Sequence, residues 1–188
     1  EIRALRAETG VSVMQCKKAL EEAGGDVEKA KVILRKASTA VAAKKADREL
    51  GAGVATAYIH AGGSVVAAVV LSCESDFVAR NPEFSKLAYD IAMHVAAMNP
   101  IFVSKEDVKE GDVAAARSVF VDEAKDRPKE MQNKIIEGKL NAFLAEKILL
   151  DQPFVKDGTK TIQQLIDEHV QKFGEKIQVT RMERLSVK

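Results

Sequence analysis

The side chains best placed to do chemistry fall in one stretch, Ser72-Cys73-Glu74-Ser75-Asp76-Phe77-Val78-Ala79-Arg80. A thiol, two carboxylates and hydroxyls this close together raise the question of nucleophilic or acid–base catalysis. A cysteine attacks only as its thiolate. Glu74 and Asp76 beside Cys73 push the thiol pKa up, which is the wrong direction for a nucleophile. Elsewhere there is no Walker loop, GxSxG, HExxH or dense carboxylate cluster. Gly24-Gly25 and Gly62-Gly63 read as turns, because no Lys-Ser/Thr follows them at a helix entry. Three histidines and two cysteines, Cys16 and Cys73, without a CxxC, indicate neither a zinc site nor a disulfide framework. Both thiols read as buried groups in a reducing cytoplasm. No enzymatic activity and no cofactor or metal is expected. What remains is recognition. Asp76-Phe77 sets a large aromatic beside a carboxylate on a strand-to-helix connection, where binding residues concentrate. The plainer alternative is that Phe77 folds back as a core plug and Asp76 is a turn residue.

The elements that must position this stretch are legible on both sides. Val65-Val66-Ala67-Ala68-Val69-Val70-Leu71 is short, β-branched and preceded by Gly62-Gly63, and predicts a strand buried on both faces. Residues 54–59 predict its hairpin partner across Ala61-Gly62-Gly63-Ser64. Downstream, Asn81 and Pro82 fit the cap and first position of a helix over 83–98. Phe84, Leu87, Ala88, Ile91, Val95 and Met98 form its apolar stripe, while Tyr89, Met93, Ala96 and Ala97 make the opposite side apolar or small as well. His94 lies beside the stripe, where a histidine is usually a hydrogen-bonded structural residue.

Before the hairpin, residues 1–36 predict three short helices sharing one core, since none is stable singly. Gly10 ends the first, Ser12-x-x-Gln15 is a capping box for the second, and Asp26 caps the third. Residues 37–53 read as a polar helix or linker, so the division expected is 1–52 for the three-helix unit and 53–188 for the core. After the hairpin helix come a capped turn at Ser104-x-x-Asp107 and a charged helix over 112–125. A longer helix then starts at Pro128, with Gly138 inside it suggesting a close packing contact. A helix over 162–173 and a last strand over 177–185, paired with the hairpin, complete an α+β fold with a small antiparallel sheet.

Composition narrows the partners. The chain has 188 residues and 29 basic against 28 acidic side chains, so nothing favours a polyanion and nucleic acid is a poor partner. No apolar run reaches the ~18 residues of a membrane span. The opening Glu1-Ile2-Arg3-Ala4-Leu5-Arg6 is amphipathic rather than a leader, and a cytoplasmic location is expected.

Cys73-Glu74-Ser75-Asp76-Phe77-Val78-Ala79-Arg80 resembles the Cys-x-Thr/Ser-Asp-Phe-Val-Ala-Lys/Arg signature of the elongation factor Ts family. Further blocks match in the family's order. Leu5-Arg6-Ala7-Glu8-Thr9-Gly10, Met14-Gln15-Cys16-Lys17-Lys18-Ala19-Leu20 and Gly25-Asp26-Val27-Glu28-Lys29-Ala30 open the chain. Ile91-Ala92-Met93-His94-Val95-Ala96-Ala97, Ile136-Glu137-Gly138-Lys139-Leu140 and Gln152-Pro153-Phe154-Val155 follow. The resemblance implies a ubiquitin-associated-like three-helix unit and a nucleotide exchange factor of the GTPase elongation factor Tu. In that reading Ser75, Asp76, Phe77 and Val78 wedge into the GTPase domain near its Mg²⁺ and phosphates, and the factor itself binds no nucleotide or metal. Val13 and Met14 belong to a second contact on that domain, against the plainer reading of Met14 as core filler. Met93, His94, Ala96 and Ala97 face the third domain of the partner. One hairpin and one Ser-Asp-Phe-Val block match the short form of the family; the long form carries two related halves and an antiparallel helical insertion. An open sheet edge and a two-sided apolar helix point to a homodimer. The reading from another class is a non-enzymatic adaptor binding ubiquitin-like or ribosomal partners through its three-helix unit.

Overall fold

The computed structural model describes residues 1–125 and 128–187. Three helices open the chain: α1 (Ile2–Thr9), α2 (Val13–Glu22) and α3 (Val27–Ala43). Their ends are set by the local signals expected. Gly10 stops α1 at φ 70°, the Ser12/Gln15 capping box starts α2, and the Asp26 carboxylate accepts from the Lys29 amide at 3.0 Å to start α3. Leu5, Val11, Cys16, Ala19, Leu20, Ala30 and Leu34 make a small core between them.

The helix α3 does not stop near residue 36. It runs on to Ala43, and its second half leaves the small core to pack on the main one, where Ala42 joins the apolar cluster. Ser38 donates to Gln171, and Thr39 donates to the buried Asp167 carboxylate at 2.7 Å. The stretch read as polar helix or linker therefore begins as a docked continuation of α3.

Strands β1 (Ala52–Ile59) and β2 (Val65–Cys73) form the hairpin, closed by a 3₁₀ turn over Ala61–Gly63. A one-turn helix, α4 (Asp76–Ala79), follows β2 and leads into α5 (Pro82–Met98). Alternation along β2 corrects the expectation of burial on both faces. Ala67, Val69, Leu71 and Cys73 are buried beneath α5, while Ala68 on the opposite face is exposed and Val66 and Val70 are half-buried. In α5, Phe84, Leu87, Ala88, Ile91 and Val95 are buried as the stripe predicted, but Met98 is exposed. Gly53 has to be glycine: a Cβ there meets the Leu71 carbonyl oxygen at 2.5 Å across the hairpin.

Helices α6 (Glu110–Ala124) and α7 (Lys129–Lys147) pack as an antiparallel hairpin through the Phe120 and Phe143 rings, with Arg117–Glu137 and Lys139–Glu123 pairs on its surface. The short ribbon β3 (Pro153–Phe154) and β4 (Asp157–Thr161) was not anticipated. Helix α8 (Ile162–Phe173) starts at a Thr161/Gln164 capping box, and β5 (Ile177–Ser186) pairs antiparallel with β2, giving the sheet order β1-β2-β5.

Gly138 sits exposed inside α7, and among the described residues a Cβ there meets nothing within 4 Å, so the close contact expected of it is not made by them. What it brings is the backbone freedom it returns to the unfolded chain. Gly138→Ala should therefore stabilise the protein by about 0.5–1 kcal/mol, read as a raised urea midpoint. A lowered midpoint would mean that α7 makes a contact at Gly138 after all.

Candidate partner-binding site

The stretch from Cys73 to Arg80 folds as a strand end, a two-residue corner and a single helical turn. Cys73 closes β2 fully buried, and its Sγ donates to the Ser75 carbonyl at 3.3 Å. The thiol is pushed up first by burial and next by Glu175, with Asp76 a lesser cause. The direction matches expectation, but Glu74 is not among the causes. Ser75 is extended at φ −130°, and from there α4 turns its side chains in sequence. Asp76 and Phe77 point outward, Phe77 with 85% of its surface exposed. Val78 and Ala79 turn inward to 3% and 8%. Val78 therefore anchors the turn, and Phe77 is not a core plug. The Asp76–Arg80 pair at 3.8 Å lies in water and fixes little. Asn81 then caps α5 by accepting from the Glu83 amide at 2.9 Å.

The corner is held from a distance of about a hundred residues. Glu175, in the turn between α8 and β5, accepts from the Glu74 and Ser75 amides at 3.1 and 3.0 Å and from the Ser75 hydroxyl at 2.5 Å. Glu74 reciprocates by accepting from the Lys176 amide at 2.5 Å and pairing with Arg48 at 3.2 Å. Its carboxyl sits below the usual range, chiefly because of the Lys176 amide. Sequence reasoning missed Glu175 and Arg48. One signal was available: a carboxylate directly after the C-cap Gly174 sits where the helix end disfavours negative charge.

The other expected contacts lie apart from this loop. Val13 and Met14, on the exposed start of α2, are 47% and 77% exposed, so Met14 is not core filler. Met93 is half-buried and Ala97 exposed on α5, beside a shallow depression of about 440 Å³ lined also by Tyr58, Val65 and Val155. Ala96 is mostly covered, and His94 is fully buried. The His94 ring accepts from the Val155 amide at Nδ1, 3.2 Å, which leaves Nε2–H to donate to the Gln152 side-chain oxygen Oε1 at 2.8 Å. Gln152 passes the chain on to the Glu146 carbonyl at 2.7 Å. His94 thus ties α5 to the end of α7 and to β3, and its ring does not face solvent. Asp90 braces the same region. Burial pushes its carboxyl up, but ion pairs with Lys156 and Lys86 at 2.7 and 2.6 Å outweigh that and hold it low.

A larger cavity, about 1030 Å³, opens between the three-helix unit and β4–α8. Much of its charge is already paired internally, Lys31 with Glu8 and Glu28, and Lys160 with Asp157 and Glu168. Among the described residues no group of three His, Cys, Asp or Glu side chains could hold a metal ion. No helix among them is long and apolar enough to cross a membrane.

Residues 31–187 match the family described as Elongation factor TS. The chain belongs to the elongation factor Ts family. It is 45% identical over 188 residues to elongation factor Ts of Thermosipho melanesiensis, covering 99% of this chain and 96% of the relative. The corresponding protein of Thermodesulfovibrio yellowstonii is 46% identical over 187 residues, at 99% and 94% coverage. That of Koribacter versatilis is 46% identical over 189 residues, at 100% and 86%. The elongation factor Ts blocks read in the sequence therefore belong to a likeness that runs the length of the chain.

The buried His94 and the half-buried His169 have a consequence for pH. Burial pushes both His94 and His169 down, so both stay neutral in the folded chain where the unfolded chain would already be protonated. Stability is then complete above about pH 6.5 and declines as pH falls below it, by at most about 1.4 kcal/mol per pH unit for each group. Melting curves from about pH 7.5 to about pH 5 should show this slope, and His94→Gln should flatten part of it. A slope that the substitution leaves intact would remove His94 from the explanation.

Proposed function

We propose that this chain is a guanine nucleotide exchange factor of translation elongation. It binds the GDP-bound form of elongation factor Tu and promotes GDP release. It catalyses no chemical reaction of its own and binds neither nucleotide nor metal. The reading rests on one observation within an elongation factor Ts chain: Phe77 stands 85% exposed on a corner tied down by a carboxylate on one side and by buried Val78 on the other. An aromatic held out of its own core is suited to enter another protein's. Asp76 and Phe77, with Ser75 and Val78 behind them, form a wedge that displaces the elements holding Mg²⁺ and the phosphates. Val13 and Met14 add a second contact on the GTPase domain. Met93 and Ala97, backed by Ala96 and the buried His94, form the contact with the third domain of elongation factor Tu. The setting is the cytoplasm, and neither nucleic acid nor membrane takes part.

Burying a Phe is worth about 1.5–3 kcal/mol, and an interface hot spot about 2 or more. Phe77→Ala should slow GDP release roughly tenfold to a hundredfold, since 1.4 kcal/mol is a factor of ten. It should leave the factor's own melting temperature nearly unchanged. Stopped-flow release of a fluorescent GDP and a melting curve of the variant alone measure the two. The adaptor reading is supported by the exposed Val13 and Met14, and it predicts that Phe77→Ala changes neither.

Two features of assembly go with this reading. The outer sheet face carries exposed Ala55, Ala57, Ile59, Ala68 and Leu185 beside an Arg181–Glu183 pair, a mixed surface with an apolar part suited to pairing two copies about a two-fold axis. Separate apolar cores support a division into residues 1–52 and 53–188, with α3 shared between them. Light scattering at about tens of micromolar should give twice the 20.4 kDa chain mass for the full protein. A fragment of residues 53–188 should still melt cooperatively. A monomer mass would end the pairing proposal, and a fragment without a cooperative melt would end the division.

A further inference from the structure

The Asp76-Phe77 corner cannot hold itself. A four-residue helix is far too short to be stable alone. The Ser75 side chain makes no cap hydrogen bond to α4; its hydroxyl donates to Glu175. Phe77 is almost wholly in water, and the Asp76–Arg80 pair is solvent-exposed. On the C-terminal side Val78 and Ala79 are fixed by burial. On the N-terminal side the corner is fixed by the Glu175 carboxylate, whose Oε2 accepts two amides and whose Oε1 accepts a hydroxyl. The turn carrying Glu175 is held in its own right. Lys45 donates to the Gly174 carbonyl at 2.8 Å, and Lys176 donates to the Arg48 carbonyl at 3.0 Å. The Lys176 amide is taken by Glu74. The end of α3, the turn before β5 and the loop after β2 meet at this point.

We propose that Glu175 is the positioning residue of the Asp76-Phe77 loop. Its carboxylate fixes the direction in which Phe77 is presented, and exchange depends on it although it touches no partner; this second clause rests on the exchange-factor reading above. Glutamine is the discriminating substitution. It nearly keeps the shape: its one oxygen can face the Glu74 and Ser75 amides while its amide group donates to the Ser75 hydroxyl, which can also accept. What it removes is the negative charge that strengthens all three contacts, so the hold on the corner weakens while its shape is kept.

Hydrogen exchange on the protein alone tests the positioning without any assumption about function. In the wild type, peptides spanning residues 72–80 should be protected. In Glu175→Gln they should exchange about tenfold faster, since three charge-assisted hydrogen bonds become neutral ones of roughly half the strength. Equal protection in the two proteins overturns the proposal. The GDP-release assay then tests the coupling to Phe77. Glu175→Gln should slow release about tenfold in the wild-type background and less than about twofold in a Phe77→Ala background, because residues acting as one unit are not additive. Equal slowing in both backgrounds would mean that Glu175 acts elsewhere, and would also overturn the proposal. If wild type fails to accelerate GDP release at all, the exchange-factor reading falls, while the hydrogen-exchange result still decides the positioning. If Glu175→Gln does not fold, Ser75→Ala removes one of the three contacts from the other side. It should give a smaller change of the same kind in both assays, and no change there overturns the proposal.

Discussion

Phe77 must stay out of the core that Val78 enters one residue later. That constraint governs the centre of the molecule. A helical turn sets adjacent side chains about 100° apart, enough to send Phe77 outward and Val78 inward, and α4 is that turn. It needs a fixed start, which β2 supplies by ending at a buried Cys73, and a fixed end, which the Asn81 cap and Pro82 supply by starting α5 at once. The long, well-covered α5 beneath the sheet then acts as the floor on which the turn rests.

On its N-terminal side, next to Phe77, the hold on the turn is polar for a physical reason. An apolar clasp strong enough to fix α4 would offer Phe77 a surface to fold onto, and the residue would lose its exposure. Carboxylates accepting backbone amides fix direction without offering such a surface. The exchange is reciprocal, Glu175 serving the 74–75 amides and Glu74 the 176 amide, so neither carboxylate is left unpartnered. The same logic explains His94. A neutral imidazole accepting at Nδ1 and donating at Nε2 joins three segments where a charged group would cost several kcal/mol to bury.

Local signals in the sequence were sufficient where the physics is local. The Ser12/Gln15 box, Asp26, the Asn81-Pro82 start and Gly10 each set a helix end within a few residues, and each appears where its chemistry placed it. The hairpin and the pairing of the last strand followed from period and turn residues in the same way. What the sequence hid depends on distant partners. The exposed face of β2 cannot be told from a buried one when Ala and Val occupy both. The docking of residues 37–43 depends on Gln171 and Asp167, far along the chain. Gly138 looked like a packing glycine because its neighbours in space were unknown. At the candidate site, Asp76 and Phe77 stood out by type and context. The inward turn of Val78, the burial of His94 and the role of Glu175 required the fold.

The continuity of α3 ties the two cores into one mechanical unit. Its first half completes the three-helix unit that carries Val13 and Met14. Its second half lies on α8, held by Thr39 on Asp167 and by Arg35 donating to the Thr159 carbonyl at 2.8 Å. Just beyond its end, Lys45 and Arg48 reach the turn that carries Glu175. The exposed apolar groups on α2 and on α4 are therefore related through one helix and one hydrogen-bonded junction, not through a flexible tether. Surfaces held in fixed relation have already lost their freedom on folding, so a partner that spans both need not order them again. The cost of ordering this junction falls on the fold, and it is met by polar contacts that leave Phe77 free to be buried elsewhere.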